Sequence, residues 1–235
     1  MNNDEGFLLT PDTEAITVDL KGRQPPRYIA VEGPIGVGKT TLAKKLAASF
    51  NYATLLEDAE ENPFLEKFYV NPEQAALATQ LFFLFQRAQK IQDLRQADFF
   101  QAVRVSDFLI EKDPLFARIN LDSDEFQLYD KVYHQLTIDA PKPDLVIYLQ
   151  ASTDILLSRI DTRGLTYERN IERRYLEQLN EVYSEFFLYY DDAPLLIVNA
   201  SEIDLAHNVA DYRHLVDYML DIRSGRHYFN PTFFG

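Results

Sequence analysis

Residues 27–50 read RYIAVEGPIGVGKTTLAKKLAASF, and three local signals follow one another in that stretch. RYIAVE is a short apolar run of β-favouring residues that stops at Gly33. From Gly33 the chain satisfies G-x-x-x-x-G-K-[ST] through Pro34, Ile35, Gly36, Val37, Gly38, Lys39 and Thr40. After Lys39 the apolar residues fall at the 3.6-residue spacing of a helix. Strand, glycine loop and helix in this order give the motif its physical meaning. Glycines let the backbone wrap inward, so that its N–H groups and the helix N-terminus face phosphate oxygens. Lys39 adds a point charge near the β and γ oxygens, the Thr40 hydroxyl suits Mg²⁺, and Thr41 follows in the same turn. The motif marks a site for a nucleoside triphosphate and leaves the phosphate acceptor open, since a GTPase, a motor ATPase and a small-molecule kinase share it.

Outward from this stretch, further apolar runs occur at 53–57, 102–107, 144–150 and 194–199, with helical patterns between them at about 72–93, 152–163, 171–190 and 204–221. Strands alternating with helices predict an α/β fold: a five-stranded parallel sheet flanked by helices. Asn62-Pro63 and Asn71-Pro72 each place a capping side chain before a proline, and Asp122 with Glu125 forms a capping box for a helix through about Thr137. Residues 1–26 carry no such pattern and read as an irregular arm, which leaves 27–235 as one domain without internal repeats.

The 235 residues carry 23 Lys and Arg against 37 Asp and Glu, a formal charge of -14. That balance repels phosphate polymers and anionic lipid, so nucleic-acid and membrane-surface roles are disfavoured. No cysteine is present, which removes disulfides, thiolate zinc and a catalytic thiol. The N-terminal MNNDEGFLLT has no basic, apolar leader pattern, and no run approaches a membrane span. A soluble cytoplasmic protein is expected. His134, His207, His214 and His227 show no metal-ligand spacing with carboxylates.

Three clusters bear on the acceptor. Glu57 and Asp107 close predicted strands, and in an open parallel sheet the ligand crevice lies at the carboxyl ends of strands. A carboxylate at Glu57 can align an acceptor hydroxyl and take its proton, and Asp107 can hold Mg²⁺. Gln80 and Arg87 lie two turns apart on one helical face with Phe83 and Leu84 between them, a setting for a flat polar ring such as a purine or pyrimidine. Arg159, Arg163 and Arg169 gather around Gly164 in a chain otherwise short of positive charge, as expected of a lid that closes over transferring phosphates.

Taken together, these residues and the intervals between them resemble the deoxynucleoside kinase family, especially its bacterial deoxyadenosine and deoxyguanosine kinase branch, from about Arg27 to Asp191. The resemblance implies a phosphate-loop kinase fold with an arginine lid, ATP and Mg²⁺ as cofactors, a deoxynucleoside as substrate and a homodimer formed through helices. It places the catalytic base at Glu57. The sugar 3′-hydroxyl falls to Tyr69 and Glu168, base reading to Gln80, Arg87 and Asp113, Mg²⁺ to Thr40 and Asp107, and phosphate charge to Lys39, Arg159 and Arg163. The reaction implied is transfer of the ATP γ-phosphate to the 5′-hydroxyl of a purine deoxynucleoside.

Two positions depart from the family pattern. Phe108 stands where an arginine follows the acid at 107, with Arg87, Arg104 and Lys112 as candidate substitutes. Leu165 stands where a third lid arginine is expected, with Arg169 nearby. A nucleoside-monophosphate kinase of the thymidylate type would need further basic residues for the acceptor's own phosphate, and none stands out beyond Arg87. A nucleotide-dependent switch would need no acceptor site at all.

Overall fold

The computed structural model describes residues 16–96, 103–136, 140–205 and 208–230. Its centre is β1 (Tyr28–Glu32), whose five residues are all buried, as expected of a strand covered on both faces. The phosphate loop leads from β1 into α1 (Lys39–Phe50), which buries Leu42, Ala43, Leu46 and Ala47 against the sheet. Then follow β2 (Ala53–Leu55), α2 (Leu65–Val70), α3 (Pro72–Gln96), β3 (Arg104–Ser106), α4 (Asp113–Asn120) and α5 (Ser123–Leu136). The chain continues through β4 (Leu145–Gln150), α6 (Thr153–Arg163), α7 (Arg173–Tyr189), β5 (Leu195–Asn199), α8 (Val209–Met219) and β6 (Arg226–Phe229).

The strands pair in the order β2-β3-β1-β4-β5-β6, with every pairing parallel. The α/β expectation holds, but the sheet has six strands rather than five. The sixth, Arg-His-Tyr-Phe, lies at an edge with only Phe229 buried, so it lacks the apolar run that announces an inner strand. Two strand ends also fall earlier than expected. β2 stops at Leu55 and β3 at Ser106, which puts Glu57 and Asp107 just beyond the strands at the carboxyl edge.

The Asp122 box forms as read: Asp122 Oδ1 accepts from the backbone N–H groups of Asp124 and Glu125 at 2.9 Å each, and Glu125 Oε2 accepts from Asp122 N–H at 3.3 Å. Its expected end at Thr137 lies outside the described residues. The Asn62 expectation needs correction, because α2 begins only at Leu65 and Asn62 Oδ1 instead takes the Phe64 N–H at 3.0 Å in the preceding turn. α8 likewise starts at Val209, later than its pattern suggested, which leaves residues 200–205 as a loop after β5. Of the arm, residues 1–15 lie outside the described set, and 16–26 form no helix or strand. No helix among the described residues is long and apolar enough to cross a membrane.

Candidate active site

The phosphate loop is shaped by backbone that only glycine tolerates. Gly33 has φ +149°, and a Cβ there would stand 2.5 Å from the Leu149 carbonyl oxygen on β4. Gly36 has φ +82°, and a Cβ there would meet Ile160 of α6 at 2.8 Å. The loop is therefore clamped between β4 and α6 with no room for a Cβ at either of these two glycines. Lys39 Nζ folds back onto the carbonyls of Gly33 at 2.8 Å and Pro34 at 3.2 Å. Burial, with the nearby charge of Lys112, pulls its pKa down to about 8 against the opposing pull of Glu32, Glu57 and Asp107. An anion arriving at the loop would raise it again.

A cavity of about 1210 Å³ opens beside this loop, lined by Gly36, Gly38 and Thr41 and by the lid arginines Arg159 and Arg163. Arg159 donates to the Val37 carbonyl at 3.0 Å and to the Ala200 carbonyl at 2.7 Å, bridging the phosphate loop to the loop after β5. Arg163 pairs with Glu168, its Nε donating to Oε2 at 3.0 Å and its Nη2 to Oε1. The expected lid arginine and the expected sugar-binding acid thus occupy each other here. Leu165 is half-buried and Arg169 exposed just outside this pair.

At the carboxyl edge of β2 and β3, Asp107 organises two functional groups at once. Its Oδ2 accepts from the Thr40 hydroxyl at 2.5 Å and its Oδ1 from the Glu57 backbone N–H at 2.8 Å. Burial raises its pKa, with the Glu57 charge adding to the effect and the Thr40 hydrogen bond opposing it. A hydroxyl and a carboxylate in contact beside a phosphate loop are the oxygen donors a hard divalent cation takes. Among the described residues no three His, Cys, Asp or Glu side chains converge as a metal cage. The Thr40 hydroxyl and the Asp107 carboxylate are the two oxygens that would hold such an ion.

Arg87 is the pivot of the acceptor side. Projecting from α3 and only 6% exposed, it pairs through Nη2 with Glu57 and through Nη1 with Asp113 at 2.5 Å. Its guanidinium carbon lies 5.2 Å from the centre of the Phe83 ring and 5.9 Å from that of Phe108. Burial works against its charge, but Asp113 and Glu57 outweigh it and push its pKa up. The two acids divide unequally around this one cation. For Glu57, burial favours the neutral acid, yet Arg87, Lys112 and Lys39 together hold its pKa below the ordinary value. For Asp113, burial wins over Arg87 and Lys112, and its pKa rises to about 6.

Two buried groups here have unused hydrogen-bonding capacity. Arg87 Nε and Asp113 Oδ2 have no partner among the described residues, and the buried Gln80 lies on the same face of α3 as Arg87. Leaving such groups unpaired costs roughly 1–3 kcal/mol each, which a polar heterocycle lying along Gln80, Phe83 and Arg87 would offset. Tyr69 stands beside this region in an aromatic group with Phe68 and Tyr175. Burial, then the neighbouring Tyr175 and Glu168, push its phenol well up.

Sequence reasoning missed the groove's buried support. Glu32, fully buried at the end of β1, accepts from Gly33 N–H at 2.9 Å, Leu109 N–H at 2.8 Å and the Tyr183 hydroxyl at 2.8 Å. Its cation is Lys112, 3.3 Å away and 2% exposed. The signal was a charged residue at the end of an apolar strand, a place where an acid must be partnered. Phe108, at the position of the family's arginine, is 1% exposed and packs in an apolar cluster with Leu55, Leu84, Ile110 and Tyr129. Of its candidate substitutes, Arg104 is ruled out by register. It lies opposite Tyr28 at the amino end of β1, its guanidinium 5.2 Å from that ring. Arg87 and Lys112 are at the carboxyl edge.

A parallel sheet with a glycine phosphate loop, a carboxylate at its acceptor edge and arginines on a lid helix defines a phosphotransferase of the phosphate-loop class. The sequence pattern of the deoxynucleoside kinase family matches residues 29–222, and the chain belongs to that family. It is 36% identical over 203 residues to a deoxyguanosine kinase of Bacillus subtilis (strain 168), covering 83% of this chain and 97% of the relative. A deoxyadenosine/deoxycytidine kinase of the same organism is 29% identical over 202 residues, covering 83% and 92%. The fold also matches the structure of deoxyadenosine kinase from M. mycoides with bound dATP, with a TM-score of 0.70 and 30% identity over 83% of this chain and 99% of that one. The protein is an ATP-dependent deoxynucleoside kinase.

Proposed function

We propose that the enzyme transfers the ATP γ-phosphate to the 5′-hydroxyl of a purine deoxyribonucleoside, giving the 5′-monophosphate and ADP in nucleotide salvage. The observation that carries this reading is Arg87, shared between Glu57 and Asp113 with neighbouring polar atoms left unpaired. The acceptor hydroxyl lies at Glu57, which stays ionised near neutral pH and so can align the nucleophile and accept its proton. The base lies along α3, where Asp113 Oδ2 accepts from a ring or amino N–H, while Arg87 and Gln80 face ring acceptors. Tyr69 and Glu168 hold the sugar 3′-hydroxyl, which requires Glu168 to loosen from Arg163 and frees that arginine for phosphate.

On the donor side, backbone N–H groups from Gly33 to Thr41 cradle the phosphates. Lys39, Arg159 and Arg163 neutralise charge that develops on the transferring group. Mg²⁺, held by Thr40 and Asp107 with the triphosphate, supplies further charge neutralisation when bound. The names of the relatives, deoxyguanosine and deoxyadenosine kinase among them, support purine acceptors, although one relative is a deoxyadenosine/deoxycytidine kinase. We place the enzyme in the cytoplasm as a homodimer. Support for the dimer is the exposed apolar end of α7, where Leu188 and Tyr189 are 58% and 75% accessible.

The test is ATP-dependent product formation measured across the four deoxynucleosides and their 5′-monophosphates. Purine deoxynucleosides are expected to exceed pyrimidines in kcat/KM by about tenfold or more, with no turnover of monophosphates. Phosphorylation of monophosphates in preference to nucleosides would replace this reading with that of a nucleotide kinase.

A further inference from the structure

We propose that the segment Ile16–Arg23, which precedes the family-matched region, forms part of the wall against which the base of the phosphate donor packs. The inference rests on reading the cavity beside the phosphate loop as the ATP site. That cavity has two kinds of wall. Gly36, Gly38 and Thr41 belong to the phosphate loop and the first turn of α1, whereas Ile16, Ile203, Leu205 and Val209 supply its apolar lining, with Lys44, Lys45, Glu202 and Asp204 among them. With the triphosphate on the first wall, the flat apolar faces of the base have the second to cover them.

Ile16 is brought there by a strap. Val18 and Leu20 pack onto the main core beside it. The segment turns at Lys21 and Gly22, both with positive φ, and closes with Arg23 N–H donating to the Leu20 carbonyl at 2.8 Å. Arg23 then grips the far end of α8. Its Nη1 donates to the Asp217 carbonyl at 3.1 Å and to Asp221 Oδ1 at 3.0 Å, and its Nη2 pairs with the Asp217 carboxylate. Lys21 Nζ reaches the same carboxylate at 3.1 Å.

The near end of α8 is Val209, which lines the cavity with Ile16. From Val209 to Asp217 a helix rises about 12 Å, and the seven residue-to-residue steps from Ile16 to Arg23 can span up to ~23 Å when extended. A strap tied at one end of α8 therefore reaches the other with length to spare. The family match spans residues 29–222, so Ile16 and its strap lie outside the matched region, whereas Ile203, Leu205 and Val209 lie within it.

The experiment compares Ile16→Ser, Arg23→Ala and the double variant in the full chain, using two probes: ATP, and inorganic tripolyphosphate as a competitor that lacks a base. Each single variant is expected to raise the KM for ATP about five- to tenfold, with the tripolyphosphate inhibition constant and the deoxynucleoside KM unchanged. The double variant is expected to be no worse than the poorer single one, because Arg23 acts through Ile16. Ile16→Leu should retain ATP affinity. Unchanged ATP KM in both single variants, or a rise matched by weaker tripolyphosphate inhibition, would overturn the proposal. Arg163→Met, a change in the lining of the cavity itself, reports on the underlying reading. If it weakens both probes, the cavity is the donor site and the Ile16 result stands or falls by itself; if it weakens neither, the assignment of the cavity is wrong and the strap proposal goes with it.

Discussion

The donor and acceptor halves of the active site are built by different means. The donor half is made of backbone: a loop clamped between β4 and α6, with Gly33 and Gly36 at positions where any Cβ would collide. The acceptor half is made of buried side-chain charge, with Arg87 from α3, Glu57 after β2 and Asp113 at the start of α4 meeting in one ion-pair chain. Backbone geometry is written contiguously in the sequence, whereas a charge network is assembled from residues 57, 87 and 113. The donor half can therefore be shared by many enzymes, and the choice of acceptor lies in the second half.

The contrast is broken most sharply at Glu57. Glu57→Gln is expected to lower kcat by about 10²- to 10⁴-fold while ATP still binds; steady-state kinetics with nucleotide titration checks both, and an unchanged kcat would remove Glu57 from the chemistry. Next in size is Lys112→Met, which leaves Glu32 buried beneath the phosphate loop without its cation. A stability loss of about 3–5 kcal/mol is expected in urea unfolding, with partial recovery in Lys112→Arg.

A smaller effect is expected from pH. Asp113 is raised from 3.8 to about 6, so the folded protein favours its protonated form. Stability contributed by that proton is complete below the unfolded value and lost as pH rises through about 6. The Asp113 carboxylate, proposed above to accept from the base, is conversely lost as pH falls through the same range. Acceptor kcat/KM should decline below pH about 6, and Asp113→Asn should flatten that limb while lowering the plateau. Smallest of all, Arg104→Met should leave kcat/KM within about twofold of the parent, because Arg104 lies at the amino end of the sheet. A large kinetic loss would show that register does not decide which cation serves the site.

The legibility of the sequence follows the same division. Strand, glycine loop and helix over 28–50 could be read directly, since each signal is local. The stripe of Gln80, Phe83, Leu84 and Arg87 was legible as one helical face, but not the fact that Arg87 holds two acids. That depends on Asp113, 26 residues on, being carried back to α3. Glu32 was passed over, and Lys112 was read only as a substitute for the missing arginine and not as the partner of Glu32, because a lone acid after an apolar strand and a lysine in an E-K-D run look like surface residues until the fold buries both. The edge strand β6 was missed for the opposite reason, being polar and exposed enough to read as tail.

On the proposed reading the shared guanidinium would make base reading and proton acceptance one coupled unit, and a double-mutant cycle measures that coupling. kcat/KM for a purine deoxynucleoside would be compared in the parent, Glu57→Gln, Asp113→Asn and the double variant. A coupling of about 1 kcal/mol or more is expected, the double variant losing less than the two single losses combined. Strictly additive losses would mean that the two carboxylates act independently and that Arg87 does not join them.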